Sequence, residues 1–481
     1  MNAPASRREF LKSIGLAATT ALVSTKAVAA APARPNFIVF LADDIGAKEL
    51  GCYGHPTHQT PNLDELGRKG VWFNTCYTAP VCHPTRFMIM TGQYGCHNGI
   101  FNFSGKRGGP EPNDPAEDIT THFTFAQMLK AKGYATALTG KWQLSGTYPD
   151  LIYEAGFDEY CTWAYNQYYS EEERAKAVAA GIDFRSRYWK PSILRNAKWV
   201  PTTLDDYGPD LFADFAVDFI QRHRDRPFFV YYPMCLTHGP HLPTPDTVTS
   251  DAEKTEASTD RHYKANVAYM DKIVGRIATA LEDLGLRDNT VIFFTGDNGT
   301  GGDGKSQPTE KGARVPMIVN GPGIVKERGL TNELTDLSDV FPTLAELAGA
   351  DVPQDRSIDG VSYAKFLRGE SEHTRDWIFA FQADRRILRD KRWLLEDNSP
   401  LHYGQLFDCG DNREGEGYRE VTDSQDPEVL AAKARFDALL EKLPAPYIPF
   451  EGAPNDPKEP KEKTGDRPRR NRQAEASSPR G

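Results

Sequence analysis

The chain is predicted to be an α/β protein, with a central, mainly parallel sheet flanked by helices and a smaller C-terminal α+β subdomain. Three observations carry that expectation. Nearly continuous apolar runs of strand length recur, as in strands buried on both faces. Amphipathic helical patterns separate them, and alternation of this kind builds parallel sheets. Beyond about residue 370 the pattern changes to shorter strand-like runs without intervening long helices.

The bulk composition agrees. With 481 residues, 39% hydrophobic and 26% charged, the chain has enough apolar material for a large core. It has no run of about 18 apolar residues, so no transmembrane span is expected. A formal net charge of −10 argues against a nucleic-acid partner, because binding phosphates needs surplus Lys and Arg. Any anion it handles must be met in a local basic pocket.

In chain order, Arg7-Arg8 with Phe10-Leu11-Lys12 precede a mildly apolar run, Ile14 to Val23, and small residues at Ala27-Val28-Ala29. Basic, apolar and small-residue segments in that order form an export signal over 1–30, and the paired arginines resemble the twin-arginine type. That signal implies the twin-arginine export machinery as a partner and a periplasmic or secreted destination. The first strand is expected at Asn36 to Leu41. Similar runs occupy Phe228 to Tyr232, Val291 to Thr295 and Met317 to Val319. Leu211, Phe212, Phe215, Phe219 and Ile220 share one helical face. Met270, Ile273, Val274, Ile277, Leu281 and Leu284 share another, ending at Gly285. These elements define a catalytic unit over 35–370. The C-terminal subdomain, 371–450, should contain short antiparallel strands at Trp377 to Phe381 and Arg392 to Leu395, then a helix around Leu430 to Leu443. From Glu451 to Gly481 the chain is rich in Pro, Lys, Glu and Arg and is expected to be a solvated, disordered tail.

Chemistry concentrates behind the strands. The first ends in Asp43-Asp44, and Val291 to Thr295 leads into Gly296-Asp297-Asn298-Gly299. Ligands in open α/β sheets sit at the carboxyl ends of strands. Alone, each Asp group is equally an Asx turn or helix cap. As a set they are oxygen donors suited to a hard cation, because adjacent carboxylates repel unless a cation lies between them. Val81-Cys82-His83-Pro84-Thr85-Arg86 follows, with Met90-Thr91-Gly92 behind it. Pro84 suits the first turn of a helix, which would hold Cys82 at an anion-favouring N-terminus.

Cys-x-Pro-x-Arg at Cys82 to Arg86, with upstream Asp43-Asp44 and downstream Asp297-Asn298-Gly299, resembles a type I sulfatase of the alkaline-phosphatase-like superfamily. Asn36 to Tyr53 and Thr60-Pro61-Asn62-Leu63-Asp64 are also similar to that family, and the resemblance spans roughly Pro35 to Pro444. It implies that a separate maturation enzyme oxidises Cys82 to formylglycine. The hydrated aldehyde then offers two hydroxyls, one attacking sulfur and the other expelling sulfate. It implies one Ca²⁺, with Mg²⁺ the alternative, held by Asp43, Asp44, Asp297, Asn298 and the modified Cys82. Arg86 would steady the hydrate, Lys141 would contact the sulfate, and His238 with Lys305 would assist the leaving oxygen. Lys311 lies near Lys305 but fills a position that is usually glycine.

One departure stands out. The family pattern Lys-x-His is here Lys141-Trp142-Gln143. Gln143 can hydrogen bond to sulfate or diol but cannot accept a proton. His83 and His241 occupy variable positions, structural or facing substrate. The other six cysteines permit disulfides or buried free thiols. The activity implied is hydrolysis of a sulfate ester, on a sulfated sugar or an aryl sulfate. Phosphonate or phosphate ester hydrolysis on the same fold, and non-catalytic binding of sulfated glycans, are the alternatives. Substrate choice is expected to lie in the loops Ser104 to Asp118 and Tyr168 to Val200.

Overall fold

A computed structural model describes residues 34–448, apart from 104, 107, 111–114, 145–149, 166–169 and 180. The expected signal and tail lie outside the described residues. The first strand, β1 (Asn36–Ala42), is buried along its whole length. Phe37, Val39 and Leu41 enter one core, shared with the helices Cys82–Thr91, Phe125–Ala131 and Val340–Ala348. Ile38, Phe40 and Ala42 enter a second, shared with Gly208–Arg222 and Thr259–Asp283. The period of two along a strand explains why a run with no polar residue is needed: both faces are covered.

The large sheet has ten strands: β1, β2 (Val71–Tyr77), β3 (Ala135–Gly140), β4 (Glu159–Trp163), β5 (Ile193–Arg195), β6 (Lys198–Val200), β7 (Phe228–Pro233), β8 (Thr290–Gly296), β9 (Arg314–Asn320) and β10 (Gly329–Asp336). Their order is β10-β2-β9-β8-β1-β7-β3-β4-β5-β6. The centre, β8-β1-β7-β3-β4, is parallel throughout. The apolar run at Met317 to Val319, grouped by its pattern with the parallel strands, departs from them. It lies in β9, antiparallel to both β8 and β2. Between β8 and β9 the chain forms only the short helix Glu310–Ala313. No crossover element carries it back to the far edge, so it must return in the opposite direction.

The helix expected from Met270 runs Thr259–Asp283, and Gly285 behind it takes the left-handed φ of 68°. The C-terminal subdomain is a five-stranded antiparallel sheet: β11 (Trp377–Gln382), β12 (Arg385–Asp390), β13 (Trp393–Asn398), β14 (Gln405–Asp408) and β15 (Arg419–Glu420). Its helix covers Pro427–Leu440 rather than Leu430 to Leu443. Asp426 caps it by accepting from the Glu428 amide at 2.8 Å, with Pro427 in the first turn. The apolar pattern marks the buried face of that helix, and the Asp-Pro pair sets its start. All seven cysteines are free thiols.

Candidate active site

Four neighbouring parallel strands empty into one place. β1 delivers Asp43 and Asp44, β8 delivers Asp297 and Asn298, β7 leads to His238, and β3 leads to Lys141. Backbone bonds continue the ladder past the strand ends: Asp297 N to Ala42 O at 2.9 Å, Asp43 N to Leu236 O at 2.8 Å and Lys141 N to Pro233 O at 2.6 Å. Gly140 makes the last of these possible. Its φ is 114°, and a Cβ there would stand 2.1 Å from the Pro233 carbonyl oxygen. Asp44 (φ 59°) and Gln143 (φ 50°) also take the left-handed region without being glycine, a conformation that concentrates at functional sites.

Cys82 opens the helix Cys82–Thr91, whose first residue it is, and Val81 provides no side-chain cap. The first-turn amides are therefore turned toward the site, as anion binding requires. Cys82, Arg86, Lys141, Asp43, Asp297 and Asn298 are all at most 1% exposed. Burial raises the Cys82 thiol above its ordinary value, so the unmodified side chain is a protonated, unreactive thiol.

Three ion pairs tie the charged residues together. Arg86 Nη2 donates to Asp297 Oδ2 at 2.6 Å, Lys141 Nζ to Asp43 Oδ2 at 2.7 Å and Lys305 Nζ to Asp44 Oδ1 at 2.7 Å. Arg86 also donates through Nη1 to the Lys141 carbonyl at 3.0 Å, so both ends of its fork are engaged by protein. Asn298 Nδ2 donates to Asp44 Oδ1 at 2.9 Å, and the Asp44 amide donates to Asp297 Oδ1 at 3.0 Å. His238 Nε2 stands 3.7 Å from Asp44 Oδ2.

The donor set fits a hard cation. Ligand atoms of Asp43, Cys82 and Asp297 lie within 4.8 Å of one another, as do those of Asp43, Asp44 and His238. Asp43 Oδ1 and Asn298 Oδ1 are buried with no hydrogen-bond partner among the described residues, which is costly for polar oxygens unless a ligand meets them. Electrostatics agrees. Burial disfavours ionising Asp43, but Lys141, His238, Arg86 and Lys305 outweigh it and hold the carboxyl well below the usual range. For Asp297, burial and the Asp43 charge win over Arg86 and push it up to about 7. Two carboxylates this close cannot both ionise comfortably until a cation sits between them. Burial, with Lys141 adding to it, lowers His238 to about 4, against the pull of Asp43 and Asp44.

Exposure divides the site. The side chains of His238 and Lys305 are 28% and 22% exposed, whereas those of Lys141 and Arg86 are 1%. The mouth is therefore lined by His238 and Lys305, and the floor by the carboxylates, Cys82, Arg86 and Lys141. Gln143 is 7% exposed, and its Oε1 has no hydrogen-bond partner among the described residues.

The neighbouring polar residues separate cleanly. His83 is buried, with Nδ1 against the Gln143 carbonyl at 3.1 Å and Nε2 against Glu117 at 3.0 Å, so it braces the Gln143 segment. His241 is held by the Thr237 carbonyl and Thr259 Oγ1, both at 3.0 Å. Lys311 is exposed beside Asp303 and stands apart from the cluster. Two residues had no sequence signal. Glu117 lies in a stretch without periodicity. Arg187 lies in the loop before β5, and its Nη2 approaches His238 Nδ1 at 2.9 Å. Only the three-dimensional pairing reveals either one.

Residues 35–350 match the family model described as Sulfatase. The chain is 31% identical over 379 residues to N-acetylgalactosamine-6-sulfatase of Canis lupus familiaris, covering 74% of this chain and 70% of that one. It is 30% identical over 449 residues to steryl-sulfatase of Mus musculus, covering 76% and 69%. Among solved structures, Ps i-CgsB in complex with k-i-k-neocarrahexaose superposes with a TM-score of 0.66 at 26% identity, over 84% of this chain and 92% of that one. The match runs through the strand ends that gather the acidic cluster, Cys82 and the basic residues: the chain belongs to the sulfatase family.

Proposed function

We propose that this sulfatase hydrolyses a sulfated carbohydrate or aryl sulfate through a formylglycine made from Cys82, assisted by one Ca²⁺. The observation that carries the reading is the pair of orphaned buried oxygens, Asp43 Oδ1 and Asn298 Oδ1, beside a fully buried Cys82 at a helix N-terminus. The formylglycine hydrate supplies two hydroxyls on one carbon, one to attack sulfur and displace the alcohol, the other to expel sulfate and restore the aldehyde. Asp43, Asp44, Asp297 and Asn298 would hold the cation, which supplies polarisation of the sulfate and a lower pKa for the attacking hydroxyl.

The chain's own residues have distinct tasks in this reading. Lys141 turns from Asp43 toward a sulfate oxygen, neutralising charge on the buried floor. Arg86, already tied to Asp297 and the Lys141 carbonyl, keeps that floor in register. Gln143 Oε1 accepts a hydrogen bond from the diol and orients it without taking its proton. His238 and Lys305, at the mouth, meet the departing alcohol. With His238 lowered to about 4, its neutral ring donates a hydrogen bond near neutral pH, leaving Lys305 as the charged donor.

The same reading assigns 1–30 to twin-arginine export, places the mature enzyme in the periplasm or outside the cell, and requires a formylglycine-generating partner. It treats 35–370 as the catalytic unit, 371–450 as its C-terminal subdomain and 451–481 as a solvated tail. Among the described residues, no helix is long and apolar enough to cross a membrane. Two measurements test it. Mass analysis of the Cys82 peptide should find the thiol sulfur replaced by a carbonyl oxygen. Initial rates on paired sulfate and phosphate esters should favour sulfate. An unmodified Cys82 in active enzyme, or a preference for phosphate esters, would overturn the proposal.

A further inference from the structure

Three permanent cations of the site each have a carboxylate: Arg86 with Asp297 and Lys141 with Asp43 on the floor, and Lys305 with Asp44 at the mouth. A fourth cation, Arg187, does not. It is 7% exposed, and among the described residues no carboxylate lies within ion-pair distance of it. Its Nη2 is spent on His238 Nδ1, at 2.9 Å, and on the Gly239 carbonyl. Its Nε is buried without an acceptor, and Nη1 makes no hydrogen bond among the described residues. The guanidinium instead lies over the Trp163 ring, 4.7 Å from the centroid, with Tyr188 at 5.6 Å. Buried charges are ordinarily paired, because removing them from water is costly. Stacking on aromatic rings recovers part of that cost and leaves Nη1 unused.

The loop that carries it is built to be rigid. Tyr188 Oη donates to the Cys235 carbonyl at 2.8 Å and to the His238 carbonyl at 2.5 Å. Trp189 Nε1 donates to the Pro243 carbonyl at 2.8 Å, and the Gly208 amide bonds Tyr188 O at 2.7 Å. Arg187 is thus fixed beside His238, with the imidazole between it and Asp44. His238 lines the mouth, and Arg187 Nη1, unlike Nε, is not fully enclosed, so this donor borders the place where the alcohol half of a substrate lies.

From this we infer that Arg187 is a specificity residue. It receives a second anionic group, carried on the alcohol half of the substrate beside the scissile sulfate, which makes the preferred substrates polyanionic saccharides. The inference rests on the sulfatase reading given above and deepens it. Nη1 is left to donate one charge-assisted hydrogen bond to a carboxylate, as on a uronic acid, or to a second sulfate. Both supply the missing counter-charge, and the experiment separates them.

The test uses the mature, calcium-loaded enzyme and two probe series. Phenyl sulfate is compared with its ring-carboxylated analogues, and galactose 6-sulfate with galactose 2,6-disulfate. The wild type is expected to prefer the dianionic member of at least one series by about tenfold or more in kcat/KM, the scale of one charge-assisted hydrogen bond. The series with the larger preference identifies the group. Arg187→Gln should collapse that preference, mainly through KM for the dianion, and Arg187→Lys should retain an intermediate part of it. Because Arg187 touches His238, some loss on every substrate is expected, so the ratio between partners is the readout. Equal loss on both members of each pair would overturn the inference and leave Arg187 a positioning residue for His238. A wild type indifferent to the second anion would overturn it as well, with no variant needed. A wild type that turns over no sulfate ester would sink the sulfatase reading first, and this inference with it.

Discussion

Replacing Asp297 by alanine separates the metal from the scaffold. The carboxylate is fully buried and does two things: Oδ2 accepts from Arg86 Nη2 at 2.6 Å, and Oδ1 accepts from the Asp44 amide at 3.0 Å. Stranding a buried partner costs roughly 3–5 kcal/mol. Two local effects offset part of that. Asp43 Oδ1 lies 3.7 Å from Arg86 Nη2 and can take up some of its charge. Removing a carboxyl already pushed to about 7 by burial and by Asp43 also relieves repulsion. Without calcium, the variant should therefore be less stable by only about 1–3 kcal/mol, below the usual cost of a broken buried pair. The larger difference appears on adding calcium. A ligand that binds only the folded state at about 100 times its Kd stabilises by roughly 2.7 kcal/mol. The wild type should show a calcium-dependent rise in thermal midpoint, and the variant should show almost none. Elemental analysis after dialysis should find the variant empty and inactive. Full metal occupancy, or an undiminished calcium-dependent shift, would refute the assignment of Asp297 as a ligand.

Three further outcomes are expected. His238→Ala and Lys305→Ala should lose more rate on poor leaving groups, such as sugar hydroxyls, than on activated aryl sulfates, and equal losses would reassign both residues to binding. Cys82→Ser offers one hydroxyl where the hydrate has two, so it should either accumulate a sulfated serine seen by intact mass or fail to react. Turnover near the wild-type rate would remove the reason for the modification. Glu396 is pushed up to about 7, first by burial and then by the Glu310 charge, against the Glu310 amide and Arg389. A folded pKa raised above 4.5 means its stabilising contribution is complete below that pH and is lost as pH rises through 7. Glu396→Gln should abolish this loss and gain on the order of 3 kcal/mol at pH 8, read by denaturant unfolding at pH 5 and pH 8. A variant with the wild-type pH dependence would show that Glu396 does not titrate in this range.

The parallel centre of the sheet was legible because β1, β7 and β8 are buried on both faces and are apolar through their middles, with polar residues such as Asn36, Thr290 and Thr295 only at or near their ends. The acidic pairs were legible because they follow those strands directly, where chain geometry leaves them at the carboxyl edge. The direction of β9 was not, since an apolar run carries no sign of which way it points. β12, Arg385–Asp390, escaped notice because only its middle is apolar, while Arg389 is fully buried by pairing with Glu310. Glu117 and Arg187 escaped for a related reason. Glu117 meets His83, 34 residues away, and Arg187 meets His238, 51 residues away, and no local period encodes such a pairing.

The C-terminal sheet bears on the chemistry through one short segment. Lys305 stands on the connection between β8 and β9, a stretch with little structure of its own. Its own turn (Lys305 N to Thr300 O, 3.0 Å) and Pro80 (Ser306 N to Pro80 O, 2.7 Å) hold it near Lys305, and β12 and β13 hold its far end. Arg389 Nη1 donates to Glu310 Oε1 at 2.7 Å, joined by Tyr77 Oη at 2.9 Å from β2. The Glu310 amide donates to Glu396 Oε1 at 2.5 Å, and the Asp397 amide to the Pro308 carbonyl at 2.9 Å. Both ties fall within five residues of Lys305. A flexible lysine placed by a loop would lose several rotors of freedom each time it met an alcohol, a cost the scaffold can remove in advance. The antiparallel sheet thus supplies no group to the reaction, yet it fixes the backbone from which Lys305 reaches Asp44. Weakening Arg389 or Glu396 should therefore reach the mouth of the site before it reaches the floor, because the floor residues are set by the parallel strands themselves.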